Sequence, residues 1–374
     1  MYPSQEAVFE RLFARIAADG RGRELFGRES CSPLMERLTA ACLGQALPEY
    51  YLEFPLGGKP WLDMLVLYSV EQLKKRASFS GPDPHGYRAI FKEACTWDVP
   101  KLCMGTELDF SRDAGEVPGF YISGAWDQDL VRRVYRALGE GEERVESTVA
   151  VLQRIPQDWR PYYIGAMPGR PGAPLRLGFT APPECVARYA GSQAALRADL
   201  EACGFTALSS EMLELLAQIA ELGLGYDVQF DVLADGSLGP VLGVSLFAMS
   251  ETNALTRESF ATGTAARLMG MLEQRGLADE RWRRVPECLF VDRMYYGEDQ
   301  QLKTLGLICR ANFAKVKWTD GRPGSAKFYL AAKGFDVDAE SLAAAGVALG
   351  ATASGARTGA PPSPSSSYID PATV

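Results

Sequence analysis

A pair of strand-like runs recurs along the chain, with helix-like sequence between successive pairs. Turn-forming Gly, Pro or Asp residues divide each pair, and the pairs span residues 50–68, 106–126, 162–180, 226–248 and 312–332. Two strand runs joined by such a turn predict a β-hairpin. Apolar spacing of three and four residues predicts helices over residues 6–20, 127–139, 182–204, 209–223 and 257–276. The sequence therefore predicts five hairpin–helix units that repeat in element order.

The strands alternate polar and apolar residues, and residues two apart lie on the same face of a strand. In the last hairpin, Val316, Trp318 and Phe328 share the apolar face. The polar faces carry acids in the first, second and fourth hairpins, namely Glu53, Asp63, Glu107, Asp109, Asp227 and Asp231. They carry basic residues in the third and fifth, namely Arg176, Lys315, Lys317 and Lys327. Glycines on the polar faces, at 165, 178 and 243, leave room for a group to approach the backbone.

The polar faces can lie in one of two environments. In an open α+β sheet they face water, whereas in a closed barrel they enclose a chamber. The sorting of acids and bases among the hairpins favours the chamber, and closure also removes exposed sheet edges. We therefore predict an α+β fold with a ten-stranded antiparallel barrel ringed by helices. No linker interrupts residues 1–340, which we expect to form one domain, and the Ser/Pro/Gly-rich tail 351–374 is expected to be disordered.

Composition excludes several other classes of function. A formal net charge of -8 argues against nucleic-acid binding, which normally needs a basic excess. No apolar run is long enough to span a bilayer and no signal-peptide pattern is present, so we expect a soluble, cytoplasmic protein. The single histidine, His85, excludes a histidine-rich metal centre, and the eight cysteines are scattered without a CxxC pair.

The five units with polar strand faces resemble the ABBA prenyltransferases. In that family ten antiparallel strands form a barrel ringed by helices, and the lumen is the reaction chamber. The indole prenyltransferases of the family carry Lys-x-Tyr strand motifs whose side chains bind a diphosphate and shield an allyl cation. The segment Lys327-Phe328-Tyr329-Leu330 is similar to that motif, and Lys315-Val316-Lys317 would complete a basic wall.

This resemblance implies a transferase that moves a prenyl group from an allylic diphosphate to an aromatic, amino-acid or peptide acceptor, in natural-product biosynthesis or peptide modification. Cations near the leaving group stabilise its developing charge, and a carboxylate orients the acceptor and takes its proton. The candidates for diphosphate binding are Lys315, Lys317, Lys327 and Arg176. Candidates for covering the cation are Tyr329 with Tyr163 or Tyr51, and Gln229 is a further substrate-binding candidate. The catalytic carboxylate candidates are Glu53 and Glu107, then Asp227 and Asp231.

The acid-rich strand faces suggest a further expectation about the acceptor. Six carboxylates that face one cavity repel one another unless a cation lies among them. That cation could be a guanidinium or ammonium group of the acceptor, or a Mg²⁺ ion that bridges to the diphosphate. The sequence thus leaves open an arginine-like acceptor, and it leaves open whether Mg²⁺ is required at all.

Two other functions remain open at this point. Asp227, Gln229 and Asp231, with Glu107 and Asp109, could hold Mg²⁺ or Mn²⁺ in a divalent-metal-dependent enzyme. The protein could also be a maturation partner that binds a peptide without catalysing a reaction. Chelator sensitivity and turnover would distinguish these two functions from prenyl transfer.

Overall fold

The strands pair into one antiparallel sheet that closes on itself. The computed structural model describes residues 2–80, 83, 85–110, 117–124, 126–170, 172–250, 254–298, 301–324 and 326–337. The tail predicted to be disordered, residues 351–374, lies outside the described residues. The strands are β1 Glu49–Pro55, β2 Asp63–Ser69, β3 Cys103–Leu108, β4 Gly119–Ser123, β5 Arg160–Ala166, β6 Leu175–Ala181, β7 Gly225–Val232, β8 Leu238–Phe247, β9 Phe290–Glu298, β10 Gln301–Thr319, β11 Arg322–Pro323 and β12 Lys327–Asp336.

Closure of the barrel depends on β10, which has partners on both sides. The strand order runs β10-β12-β1-β2-β3-β4-β5-β6-β7-β8, and β8 pairs again with β10. In that closing pair Lys317 lies opposite Gly243 and Lys315 lies opposite Ser245. These ten strands form the predicted barrel, and their polar faces point into a closed lumen. The prediction of a closed barrel is confirmed.

The last hairpin is longer than the sequence analysis predicted. β10 begins at Gln301, and its first half pairs with β9, a strand that was not predicted. A register shift between Ala311 and Phe313 separates this half from the half that pairs with β8. β10 can therefore serve two neighbours on the same edge because it is long and because a bulge re-aims it between them.

Helices surround the barrel as predicted, although two of the predicted helices are interrupted. The helices are α1 Gln5–Ile16, α2 Arg21–Phe26, α3 Ser32–Ala41, α4 Val70–Arg76, α5 Tyr87–Ala94, α6 Gln128–Ala137, α7 Glu142–Leu152, α8 Pro183–Gly191, α9 Gln193–Ala202, α10 Ser210–Ala220, α11 Arg257–Thr262 and α12 Thr264–Gln274. The predicted helix 182–204 breaks at Ser192, whose side chain accepts a hydrogen bond from the Ala195 N–H and caps α9. The predicted helix 257–276 breaks at Gly263, which has extended dihedral angles. No helix in the described ranges has the length and apolarity needed to cross a membrane.

The outer face of the barrel packs against the helices and holds the lumen in shape. Phe54, Trp318 and Phe328 are fully buried there, and the Phe54 ring lies 6.0 Å from the Phe328 ring and 5.1 Å from the Phe26 ring of α2. Burial of such a side chain contributes about 1.5–3 kcal/mol. Successive side chains of a strand point to opposite faces. Because these apolar residues are held on the outer face, their polar neighbours point into the lumen.

Candidate functional site in the barrel lumen

The lumen holds a cavity of about 1100 Å³ to which all ten barrel strands contribute side chains. Most of the site residues predicted from the sequence line this cavity, namely Tyr51, Glu53, Glu107, Tyr163, Arg176, Gln229, Asp231, Lys315, Lys317, Lys327 and Tyr329. Asp227 does not reach the cavity surface; it is 5% exposed and lies next to Thr180, which does line the cavity. The period-two pattern therefore placed the site residues on the correct side of their strands.

Two lysines of β10 lie in the lumen without a carboxylate partner. Lys315 Nζ donates a hydrogen bond to the Gln229 side chain, and the side chain of Lys317 has no hydrogen bond or ion pair with any described residue. Burial, and then the charge of Arg176, lowers the pKa of Lys315 to about 7 and that of Lys317 to about 8. Both amines are thus poised to gain a proton when an anion enters.

Lys327 and Tyr329 of β12 both contact Glu53 of β1, as expected for neighbouring strands in which these residues share a face. Each donates a hydrogen bond to a different oxygen of the Glu53 carboxylate. Burial acts to raise the pKa of Glu53, but the Lys327 ammonium and then Lys315 lower it below its ordinary value. Glu53 is consequently an ionised carboxylate whose two oxygens are fixed in position.

Arginines pair with Glu107 and Asp109 of the second hairpin and with Asp231 of the fourth. Arg176 donates from Nε to Asp231 Oδ1 at 2.6 Å. Arg170 donates to Glu107 and lies 3.3 Å from Asp109. Burial opposes ionisation of Glu107, but Arg170 and Arg176 outweigh it and lower the pKa of Glu107 to about 2.

These ion pairs correct the expectation that the lumen acids need a cation from a ligand. Arg170 was not predicted as a site residue because it lies in the turn between β5 and β6, where no strand periodicity indicates its direction. A second missed pair is Arg310 with Glu49, whose side chains are 2.9 Å apart; Tyr51 also donates to Glu49, at 2.9 Å. The charges needed for neutralisation are therefore largely within the chain.

Asp227 differs from the other predicted carboxylates. Thr180 Oγ1 donates to its Oδ1 at 2.5 Å, and Asp227 has no ion pair with any described residue. Burial raises the pKa of Asp227 to about 7, against smaller lowering effects of the Thr180 hydrogen bond and of Lys315. A carboxyl with a pKa near neutrality is suited to proton uptake at physiological pH.

Four aromatic rings that line the cavity stack in two pairs. Tyr121 stacks on Tyr163 with ring centroids 4.8 Å apart, and Phe313 stacks on Tyr329 at 4.2 Å. Tyr121 was not predicted, although its position two residues from Gly119 on β4 places it on the polar face. A side chain at Gly178 would meet the Tyr163 ring at 2.4 Å.

The glycines on the polar strand faces thus admit side chains of the chain itself. Gly178 gives space to Tyr163, and at Gly243 an added Cβ would lie 2.9 Å from Lys315 Cε. The predicted close approach to the backbone occurs at Gly178 and Gly243, but the approaching groups belong to the protein.

No protein-family model matches the chain, and no curated protein sequence matches it. Among solved structures it is similar to AnaPT from Neosartorya fischeri, with a TM-score of 0.42 and 12% identity over 77% of this chain and 78% of that chain. It is also similar to 6-dimethylallyltryptophan synthase from Micromonospora olivasterospora in complex with DMASPP and Trp, with a TM-score of 0.48 and 13% identity over 88% of this chain and 97% of that chain.

The architecture itself is visible in the strand order. Ten antiparallel strands close into a barrel ringed by helices, as the sequence resemblance implies. The chain has the ABBA barrel fold. Within the ABBA barrel, the polar chamber and its cations occupy the lumen.

The ABBA barrel of this chain does not offer the metal site that the carboxylates suggested. Asp231 is held by Arg176, and Glu107 and Asp109 are held by Arg170. The part of the chain that the structure describes contains no group of three or more His, Cys, Asp or Glu residues placed to hold a metal ion. These residues do not fit a Mg²⁺ ion held by the protein alone, which would need several free oxygen ligands.

Proposed function

We propose that this protein transfers a prenyl group from an allylic diphosphate to an aromatic acceptor inside the barrel. One observation carries the proposal: a cluster of cations and a group of stacked aromatic rings line the same enclosed cavity. The cations are Arg170, Arg176, Lys315, Lys317 and Lys327. Such a chamber suits a reaction in which an anion leaves and a carbocation remains.

The cations would stabilise the departing diphosphate. As the carbon–oxygen bond of the donor breaks, negative charge accumulates on the leaving group, and fixed cations bind that state more strongly than the intact donor. The Lys317 ammonium has no hydrogen-bond or ion-pair partner among the described residues, and the Lys315 ammonium is held only by the neutral Gln229 amide. Their ammonium groups are accordingly the most available to a ligand.

The aromatic rings would cover the allyl cation. Tyr163 and Tyr121 form one stacked pair, and Tyr329 with Phe313 forms another. A cation over an aromatic face is stabilised by about 0.5–2 kcal/mol, and more rings around it also keep water away. Exclusion of water favours transfer to the acceptor over hydrolysis of the donor.

Glu53 would orient the acceptor. Lys327 and Tyr329 hold its carboxylate ionised and fixed, so that an N–H or O–H group of an acceptor can donate to it. Glu107 and Asp231 would instead position Arg170 and Arg176 in the anion site. Because the chain neutralises most of these acids itself, the lumen favours a neutral aromatic acceptor over the arginine-like one considered from the sequence.

The proposal is tested by incubating the protein with dimethylallyl or geranyl diphosphate and with indole, tryptophan, a dihydroxynaphthalene or an arginine-containing peptide. Mass spectrometry is expected to detect a product that carries one added prenyl group, with an aromatic acceptor preferred. The double variant Lys315→Met/Lys317→Met should lose this product, whereas Lys74→Met/Lys75→Met, on the exposed side of α4, should retain it.

Two outcomes would support the other functions. Loss of activity with EDTA, restored by Mg²⁺ and independent of any prenyl diphosphate, would favour the metal-dependent enzyme. Peptide binding that Lys327→Met weakens, without a product from any donor, would favour a maturation partner. If neither the donors nor inorganic pyrophosphate binds, prenyl transfer is refuted.

A further inference from the structure

We infer that Thr180 and Asp227 form a proton-transfer pair that removes the proton released when the acceptor is alkylated. This inference rests on the proposed function and concerns a step that follows departure of the diphosphate. Its basis is the position of a hydroxyl at the cavity wall, in contact with a carboxylate that lies behind it.

The geometry of the pair follows from adjacent strands. Thr180 on β6 and Asp227 on β7 are register partners, so their side chains share the lumen face. Thr180 is partly exposed to the cavity, two residues from Gly178, over which the Tyr163 ring lies. Its hydrogen atom is donated to Asp227 at 2.5 Å, which leaves its oxygen lone pairs free to accept a proton from the cavity.

The other carboxylates predicted for the site are less suited to proton uptake. Glu53 accepts hydrogen bonds from Lys327 and Tyr329 and is held ionised by the nearby positive charge. Glu107 and Asp231 are each bound by an arginine, which stabilises their charged forms. Protonation of any of these three carboxylates would remove the negative charge that pairs with the neighbouring cation.

Asp227 lies in a different electrostatic environment. The charged group that acts on it from β10 is Lys315, whereas β8 presents the uncharged Ser245 opposite it. On β5, Arg160 lies opposite Thr180 in the strand register. Burial dominates this balance and favours the protonated, neutral form of Asp227, with a pKa raised to about 7.

The aromatic carbon of the acceptor forms a bond to the allylic carbon, and the donor carbon–oxygen bond breaks with its electron pair leaving on pyrophosphate. The proton on the alkylated ring carbon then passes to Thr180 Oγ1, while the Thr180 hydroxyl proton passes to Asp227 Oδ1. The carbon–hydrogen electron pair restores the aromatic ring, and Asp227 becomes a neutral acid that later returns its proton to solvent.

The test uses Asp227→Asn, Thr180→Val and Thr180→Ser in the full chain, with dimethylallyl diphosphate and the best aromatic acceptor of the panel. Positioned acid–base groups contribute about 10²–10⁴-fold to rate, so we expect Asp227→Asn to lower kcat about a hundredfold or more. In the pH–rate profile, wild-type kcat should decrease as the pH is lowered through about 7, because Asp227 becomes protonated. The Asp227→Asn variant should lack this acidic limb of the profile. Thr180→Val should show a similar loss, and Thr180→Ser, which keeps the hydroxyl, should recover most of it.

Inorganic pyrophosphate binding reports whether the variants retain a folded anion site, and their affinities should match the wild type. Turnover of both Asp227→Asn and Thr180→Val within twofold of wild type, with the acidic limb unchanged, overturns the proton-transfer pair and leaves the proposed function standing. Absence of product from the wild-type protein with every acceptor overturns the proposed function, and the pair with it.

Discussion

Binding of a diphosphate to the lumen should weaken steeply as the pH rises above neutrality. Lys315 and Lys317 have lowered pKa values, about 7 and about 8, because they are buried and lie near Arg176. A bound diphosphate favours their charged forms, so binding takes up protons wherever the free lysines have lost them. The sign is fixed: both lysines are charged below their free pKa values, and affinity falls as the pH passes through those values.

The magnitude follows from the fraction of each lysine that is charged. Between pH 7 and pH 9 the charged fraction falls about fiftyfold for Lys315 and about tenfold for Lys317, so the affinity falls about 500-fold if both must be charged. At pH 8 binding should take up about 1.4 protons. Lys315→Met should bind more weakly at pH 7 and keep only the tenfold dependence due to Lys317.

Isothermal titration calorimetry can measure both quantities. The ligand should be a non-hydrolysable thiolodiphosphate analogue of dimethylallyl diphosphate, and paired buffers of different ionisation enthalpy give the number of protons taken up. Lys74→Met, at an exposed position on α4, is the control and should follow the wild-type curve. An affinity that stays within about threefold from pH 7 to pH 9, without proton uptake, would refute the reasoning.

Three further predictions test other parts of the lumen. Gly178→Ala places a Cβ 2.4 Å from the Tyr163 ring, and product formation should fall about tenfold or more, whereas Gly191→Ala, in open space, should be neutral. Arg170→Met removes the ion pair of Glu107, so the pKa of Glu107 should rise from about 2. Calorimetry should show that pyrophosphate affinity falls about tenfold. Unchanged affinity would show that Arg170 is not part of the anion site. EDTA should leave donor binding unchanged, since the described residues form no metal-binding group; a loss that Mg²⁺ restores would contradict this.

Much of the fold was predictable because its signals are local. The alternation in the last hairpin places Trp318 and Phe328 outside and Lys317 and Lys327 inside, and the structure confirms both directions. β9 was not predicted because charged and apolar residues mix on its faces: Asp292 lies on the same face as Phe290 and Met294. The alternation of polar and apolar side chains therefore predicts a strand only where one face of that strand is buried along its length.

The site was predictable in its members but not in its pairings. Glu53 and Asp227 were both assigned as carboxylates of the lumen, yet one lies between two donors and the other lies behind a threonine hydroxyl. Arg170 could not be assigned, because the direction of a turn residue depends on how the whole hairpin is oriented. Chemical roles therefore diverged among residues that looked alike in the sequence.

The face of a strand on which a residue lies follows from the local sequence, since residues two apart must point the same way. Which charges meet depends instead on the assembled barrel, because Lys327 reaches Glu53 across the β1–β12 pair and Arg176 reaches Asp231 across the β6–β7 pair. Those pairs depend on strand order, register and closure through β10, which are set by long-range packing of the whole barrel against its helices.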